Sequence, residues 1–170
     1  MKSTNYDQLV NIESLFEFPI HLFFFVIIFE PGISLILRKM NGETNLPQLL
    51  STMMPALNEG DYVFCCNDST AIIDPQKIIG LFKEKEGVTI ILEKKWADEL
   101  NLSYSFVAAW ITLTVHSSLE AVGLTATFSA ALAKESISCN VVAGFYHDHI
   151  FVNKNDAEKA IAVLNNLTRL

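Results

Sequence analysis

A chain whose apolar residues recur at every second position, then at every third or fourth, then at every second again has few ways to bury them all. Ala109 to Leu170 is such a stretch. Trp110, Thr112 and Thr114 alternate with Ile111, Leu113 and Val115, which is the period of a strand. Ser118 to Leu124 reads as a loop, and Phe128, Ala131 and Leu132 follow at helical spacing. Cys139 to Phe145 is strand-like, His147-Asp148 marks a tight turn, and His149 to Val152 is the returning strand. Asp156 then caps a helix over Ala157–Leu167. The order is βαββα. One further strand would complete a ferredoxin-like βαββαβ unit, and the N-terminal half could supply it.

The preceding stretch patterns less sharply. Leu46, Leu49, Leu50, Met53, Met54 and Leu57 have helical spacing, with Pro47 suited to the first turn and Pro55 disturbing the end. Tyr62–Cys66 reads as a buried strand, Asp74-Pro75 as the start of a short helix over Gln76–Lys85, Val88–Leu92 as a β-branched strand and Glu93–Leu102 as a short helix. Tyr104–Val115 is long for one strand. Its first part can close one unit and its second part open the next. The expected fold class is α+β, with two ferredoxin-like units packed together over residues 40–108 and 109–170.

Residues 1–39 stand apart. Six of the twelve Phe lie there, and Phe18–Leu37 is a greasy stretch of the right length for a membrane span. Glu30-Pro31-Gly32 interrupts it, and a carboxylate near mid-span is costly in hydrocarbon. The region ahead of it is acidic, and no small-residue cleavage pattern follows, so a secretory signal fits badly. Three readings stay open: an extension from a start placed too early, with Met40 as the natural beginning, an anchor for a membrane or partner, or an integral part of the fold. Without it, 131 residues carry nine Lys/Arg and fifteen Asp/Glu, hence a charge of −6 (9 − 15) against −7 for the whole chain. That acidic balance argues against a protein gripping nucleic acid through a basic face. At 51% apolar and 18% charged, the chain is neither a disordered tail nor a disulfide scaffold.

Cys65, Cys66 and Cys139 give no disulfide framework and no C-x-x-C, so no structural zinc is expected and a reducing cytoplasm fits. His116, His147 and His149 raise a metal reading. On a strand His147 and His149 share one face while Asp148 points to the other, so strand-surface histidines are the simpler account. The sequence holds no nucleophile elbow, no P-loop and no dinucleotide fingerprint.

The loop Ser117–Leu124 runs into a helix. Free amides and the helix dipole there suit a carboxylate, or Ser117 or Ser118 simply caps the helix. Glu120 and Asp148 are candidate partners for an ammonium or a basic side chain. The plain alternatives are a first-turn Glu favoured by the dipole and a turn-forming Asp.

The stretch HSSLEAVGLTATFSAALAKESISCNVVAGFYHDHIFV, together with EGDYVFC at Glu59–Cys65 and EGVTIIL at Glu86–Leu92, resembles the ACT domain. More narrowly the chain resembles bacterial proteins carrying two such units, and more distantly the ACT units of the cytosolic arginine sensors of animal cells. The resemblance spans residues 40–170. It implies a regulatory module that binds an amino acid or similar small ligand at a loop of this kind, here through Ser117, Ser118, Glu120, Val122, Gly123 and Leu124. In the sensor-like relatives an Asp at the turn of Asp148 contacts the ligand. The resemblance also implies a second unit beside the strand of Asn140, Val141 and Val142, hence a homo-oligomer, and a partner enzyme, since no catalytic domain is fused. No cofactor and no metal are expected. The rival readings are a small-substrate enzyme using Asp148, Glu120 or a His as acid or base, and a tethered interaction protein held through Phe18–Leu37.

Overall fold

The computed structural model describes residues 42–70 and 73–168. The three readings of residues 1–39, and the start at Met40, lie outside the described residues. From Gly42 onward the elements are α1 (Leu46–Thr52), β1 (Pro55–Leu57), β2 (Tyr62–Asn67), a 3-10 turn (Pro75–Lys77), β3 (Ile78–Lys83), β4 (Val88–Glu93), α2 (Lys94–Glu99), β5 (Val107–Leu113), α3 (Leu124–Lys134), β6 (Cys139–Ala143), β7 (Asp148–Asn153), a 3-10 turn (Lys154–Asp156) and α4 (Ala157–Leu167).

The strands form one antiparallel sheet in the order β3-β4-β2-β5-β7-β6, with β1 also paired to β5. Two ferredoxin-like units share it. In one, β2, β3 and β4 are closed by the start of β5, where Tyr62 faces Ala108 and Val63 faces Val107. In the other, β5, α3, β6, β7 and α4 need a fourth strand. That strand is β1, which lies earlier in the chain and pairs Pro55–Leu57 with Leu113–Ile111. The units therefore interlock through β5 and the β1–β2 segment.

Two stretches fold differently from the sequence expectation. The helix expected over Gln76–Lys85 is one 3-10 turn followed by β3. Asp74 does cap it, its carboxylate accepting from the Gln76 amide at 3.0 Å. The β-branched Ile78 and Ile79 then pair in a hairpin with β4, which a helix would forfeit. The helical spacing through Leu57 likewise stops at Thr52. Asn45 caps the start of α1 through the Gln48 amide at 3.0 Å. At the other end Pro55 has no N–H to continue the helix and drives Met54 out of helical geometry.

Both units bury the same sheet face. Leu49 and Met53 of α1 join Ile111, Leu113, Phe128, Leu132, Ile150 and Leu164 in the larger core. Val63, Cys65, Ile90 and Leu92 pack with Ala97 of α2 in the smaller one. The opposite face holds Tyr62, Ile91, Ala108 and Phe151, with the Phe64 ring edge-on to Phe151 at 5.2 Å and Trp110 stacked on it at 6.0 Å.

Candidate functional site

Ser117 and Asp148 are the two buried polar side chains among the described residues, at 8% and 6% exposure. They touch: the Ser117 hydroxyl donates to Asp148 Oδ2 at 3.1 Å. Asp148 is not in the hairpin turn, as its sequence neighbours suggest. The turn ends at His147, whose carbonyl accepts from the Gly144 amide at 2.9 Å, and Asp148 is the first residue of β7, paired with Leu113 and Ala143. Among the described residues no cation pairs with this carboxylate, and Oδ1 has no hydrogen-bond partner. Every buried side-chain nitrogen and oxygen among the described residues has a hydrogen-bond partner, so Oδ1, which has none, keeps contact with solvent and is open to a donor.

The loop that brings Ser117 there is pinned at several points. The Ser117 amide reaches back to Val115 O at 3.0 Å. The Glu43 amide donates to His116 O at 2.8 Å, and the Ser118 amide donates to Glu43 O at 2.9 Å. This approach is so close that a Cβ on Gly42 would lie 2.4 Å from the Ser117 carbonyl carbon, so only glycine fits. Ser118 caps locally, its hydroxyl accepting from the Glu120 amide at 3.2 Å. It does not cap α3. The N-cap of α3 is Gly123, at φ +100°, which offers no side-chain acceptor. The amides of Leu124, Thr125 and Ala126 thus have no acceptor among the described residues.

These groups line one pocket: Ser117–Leu119, Leu124 and Thr125 of α3, and the paired Ala143 and Asp148. It encloses about 70 Å³, well below a whole ligand site and little more than two water volumes. Partial positive charge from the helix start and a full negative charge from Asp148 meet in it. Larger hollows around Gly60 and Asp61 lack this chemistry. Their lysines are already paired, Lys94 with Asp98 at 2.6 Å, Lys95 with Glu93 at 2.5 Å and Lys154 with Asp61 at 2.5 Å.

Of the residues singled out from the sequence, Ser117, Ser118, Leu124 and Asp148 line the pocket. Gly123, the N-cap of α3, is not among the lining residues. Glu120 and Val122 do not line it, and Val122 is 85% exposed. Leu119, Ala121, Thr125 and Ala143 also line it, and the sequence does not single them out as ligand-binding. The hairpin register, which sets Ala143 opposite Asp148, is the signal that finds the last of them. Asn140, Val141 and Val142 lie on β6, an edge strand of the sheet. The three histidines do not converge, and no cluster able to hold a metal occurs among the described residues.

His149 turns to the opposite face. Trp110 Nε1 donates to its Nδ1 at 3.1 Å and Thr112 Oγ1 lies 3.2 Å from the same nitrogen. That nitrogen must carry a lone pair, so the ring is neutral. Burial, and then the neighbouring His147, hold its pKa below the ordinary 6.5, against a small opposing effect of Asp148. The unfolded chain then binds the proton more readily than the folded one. Stability from this ring is complete above about pH 6.5 and falls as pH drops through 6.5 toward the folded value. Thermal melts from about pH 5 to about pH 8 should show this slope, and His149→Gln should flatten it; an unchanged slope in the variant would assign it to other groups.

Two ACT-domain models match the chain, one over residues 41–109 and one over 105–166. The chain belongs to the ACT domain family. The two matches overlap at 105–109, where β5 serves both units. A Vibrio cholerae protein of unknown function, suggested to be a transport protein, is 46% identical and superposes with a TM-score of 0.65 over 72% of this ACT protein and 95% of that chain. An Agrobacterium tumefaciens protein is 18% identical, with a TM-score of 0.53 over 68% of this chain and 89% of that one. The aspartate kinase of Clostridium acetobutylicum, an allosteric enzyme, is 14% identical, with a TM-score of 0.51 over 75% of this chain and 36% of that one. The last two share the fold. A comparison with curated proteins found no match.

Proposed function

We propose that this ACT protein is a regulatory protein that binds a free amino acid and carries out no chemistry of its own. One observation carries the reading: Asp148, a buried carboxylate that no cation among the described residues pairs with, lines the same small pocket as the uncapped start of α3. An α-ammonium against Asp148 and an α-carboxylate against the amides of Leu124 and Thr125 would satisfy both. Two ACT domains support the broader regulatory role.

Binding acts on something else. We place that effect on the chain's own assembly and on a partner enzyme, through a shift between two states that hold the ligand unequally. The exposed edge of β6, with Asn140, Val141 and Val142, is the surface we assign to a second copy. Three free cysteines fit the reducing cytoplasm in which we place the protein. No helix among the described residues is long and apolar enough to cross a membrane.

The test is a thermal-shift screen of the full chain against the twenty amino acids. A ligand at a hundredfold its Kd adds about 2.7 kcal/mol, which is on the order of 5–10 °C in a domain of this size. At least one amino acid should give a shift of that size. No shift with any of them at millimolar concentration would overturn the reading.

A further inference from the structure

We infer that the amino acid this site selects has a large apolar side chain, an inference that rests on the zwitterion-binding reading above. The pocket of about 70 Å³ accepts the two charged ends of the ligand and little else. The ligand's side chain must leave through the mouth. What it meets there follows from the fold. Leu119 lines the pocket and is 67% exposed, so one part of it faces the site and most faces out. Ala143 and Asp148 are paired, so the hairpin between them projects from the pocket edge, and its tip carries Phe145 and Tyr146 at 62% and 60% exposure.

The two tip rings pack against each other at 4.9 Å, and His116, next to Ser117, packs on Tyr146 at 5.2 Å. They form a small ordered wall rather than two loose side chains. Val122, at 85% exposure, belongs to the same loop. Half of the eight large hydrophobic side chains exposed among the described residues are therefore on this loop and hairpin. Exposed apolar side chains on the loop and hairpin that form the pocket are surface that awaits cover.

The charges point the same way. Neither His116–Leu124 nor Ala143–Asp148 contains Lys or Arg, so an acidic side chain would find Glu120 and Asp148 and no lysine or arginine of either segment. A basic side chain would gain only the exposed Glu120, whose attraction is screened by water. A leucine, methionine or phenylalanine side chain would cover Leu119 and the hairpin rings and leave no polar group unsatisfied.

Isothermal titration of the full chain with leucine, methionine, phenylalanine, alanine, serine, glutamate and lysine tests this. The three large apolar amino acids should bind about tenfold or more tighter than alanine, the range a few methylenes give in an apolar pocket. Serine, glutamate and lysine should be no better than alanine. Phe145→Ser and Tyr146→Ser, at exposed positions that leave the core untouched, should each lower the leucine-to-alanine ratio several-fold. Equal affinities, or a preference for a charged side chain, would overturn the inference and leave the zwitterion site standing. No binding by any of the seven would overturn the inference, and silence from all twenty amino acids would overturn the zwitterion site as well. Loss of self-association in the two serine variants without a change in the leucine-to-alanine ratio would assign the wall to a second copy and overturn the inference alone.

Discussion

Asp148→Asn is expected to weaken amino-acid binding by about 30-fold or more while the ligand-free protein melts at about the same temperature. Both effects come from one fact. No cation among the described residues pairs with Asp148, so its charge serves the ligand's ammonium and no contact that holds the fold. Asn keeps the size and an oxygen able to accept from Ser117, at present a 3.1 Å bond, and removes the charge. Losing one partner of a buried hydrogen-bonded charge pair costs about 2–5 kcal/mol of binding, and the lower end is about 30-fold. Since Asn keeps the Ser117 bond, no loss of ligand-free stability is expected. Titration calorimetry reads the first effect and ligand-free melts the second. Unchanged affinity would mean that Asp148 is not the ammonium's partner. A melting point lower by several degrees would mean that the carboxylate holds the hairpin and is no binding group.

Local pattern made much of this legible. The alternation of Trp110–Val115, the helix through Phe128 and Leu132, and the final helix through Leu164 can be read without a structure, because each buries one face of a periodic element. The excess length of Tyr104–Val115 also has a structural counterpart, since β5 pairs β2 at one end and β7 along its length. The misreadings share a cause. Ile78, Ile79 and Phe82 satisfy a helical spacing and a strand alternation about equally over so few residues, and pairing with β4 decides between them. Leu57 continues the helical spacing of α1 although Pro55 has already ended it, and that hid β1.

In the candidate site, the residues themselves single out the loop and Asp148 and the ACT resemblance adds to both, whereas the burial of Asp148 is not legible in the sequence. A turn centred on His147-Asp148 would leave the carboxylate in water. The actual turn, closed by Gly144 and His147, moves Asp148 into the sheet. Gly42 carries no local signal at all. Its constraint is a backbone 75 positions away, reached only in the folded chain (117 − 42).

The interlocked strands make a second strong prediction: residues 105–168 alone should not fold. Those residues hold β5, α3, β6, β7 and α4, yet lack α1 and β1. Leu49 and Met53, at 0% and 1% exposure, sit in the same core as Phe128 and Ile150. Each buried side chain of this kind contributes about 2–5 kcal/mol, and a domain's whole stability is about 5–15 kcal/mol. Loss of β1 also leaves the Ile111–Leu113 edge of β5 unpaired and open to aggregation. The missing pieces can be returned from the other end. Asn45 and Thr168 line one cleft, so a short glycine-serine linker from residue 168 to residue 42, followed by residues 42–61, can place α1 and β1 where they now lie. That permuted chain puts β1 after α4, the order a ferredoxin-like unit has when its strands run consecutively. It should show a cooperative melt and a dispersed amide spectrum, whereas the simple fragment should show neither. A fragment of 105–168 that melts cooperatively by itself would mean that β1 and α1 only decorate the unit, and that the two ACT domains fold side by side rather than through one another.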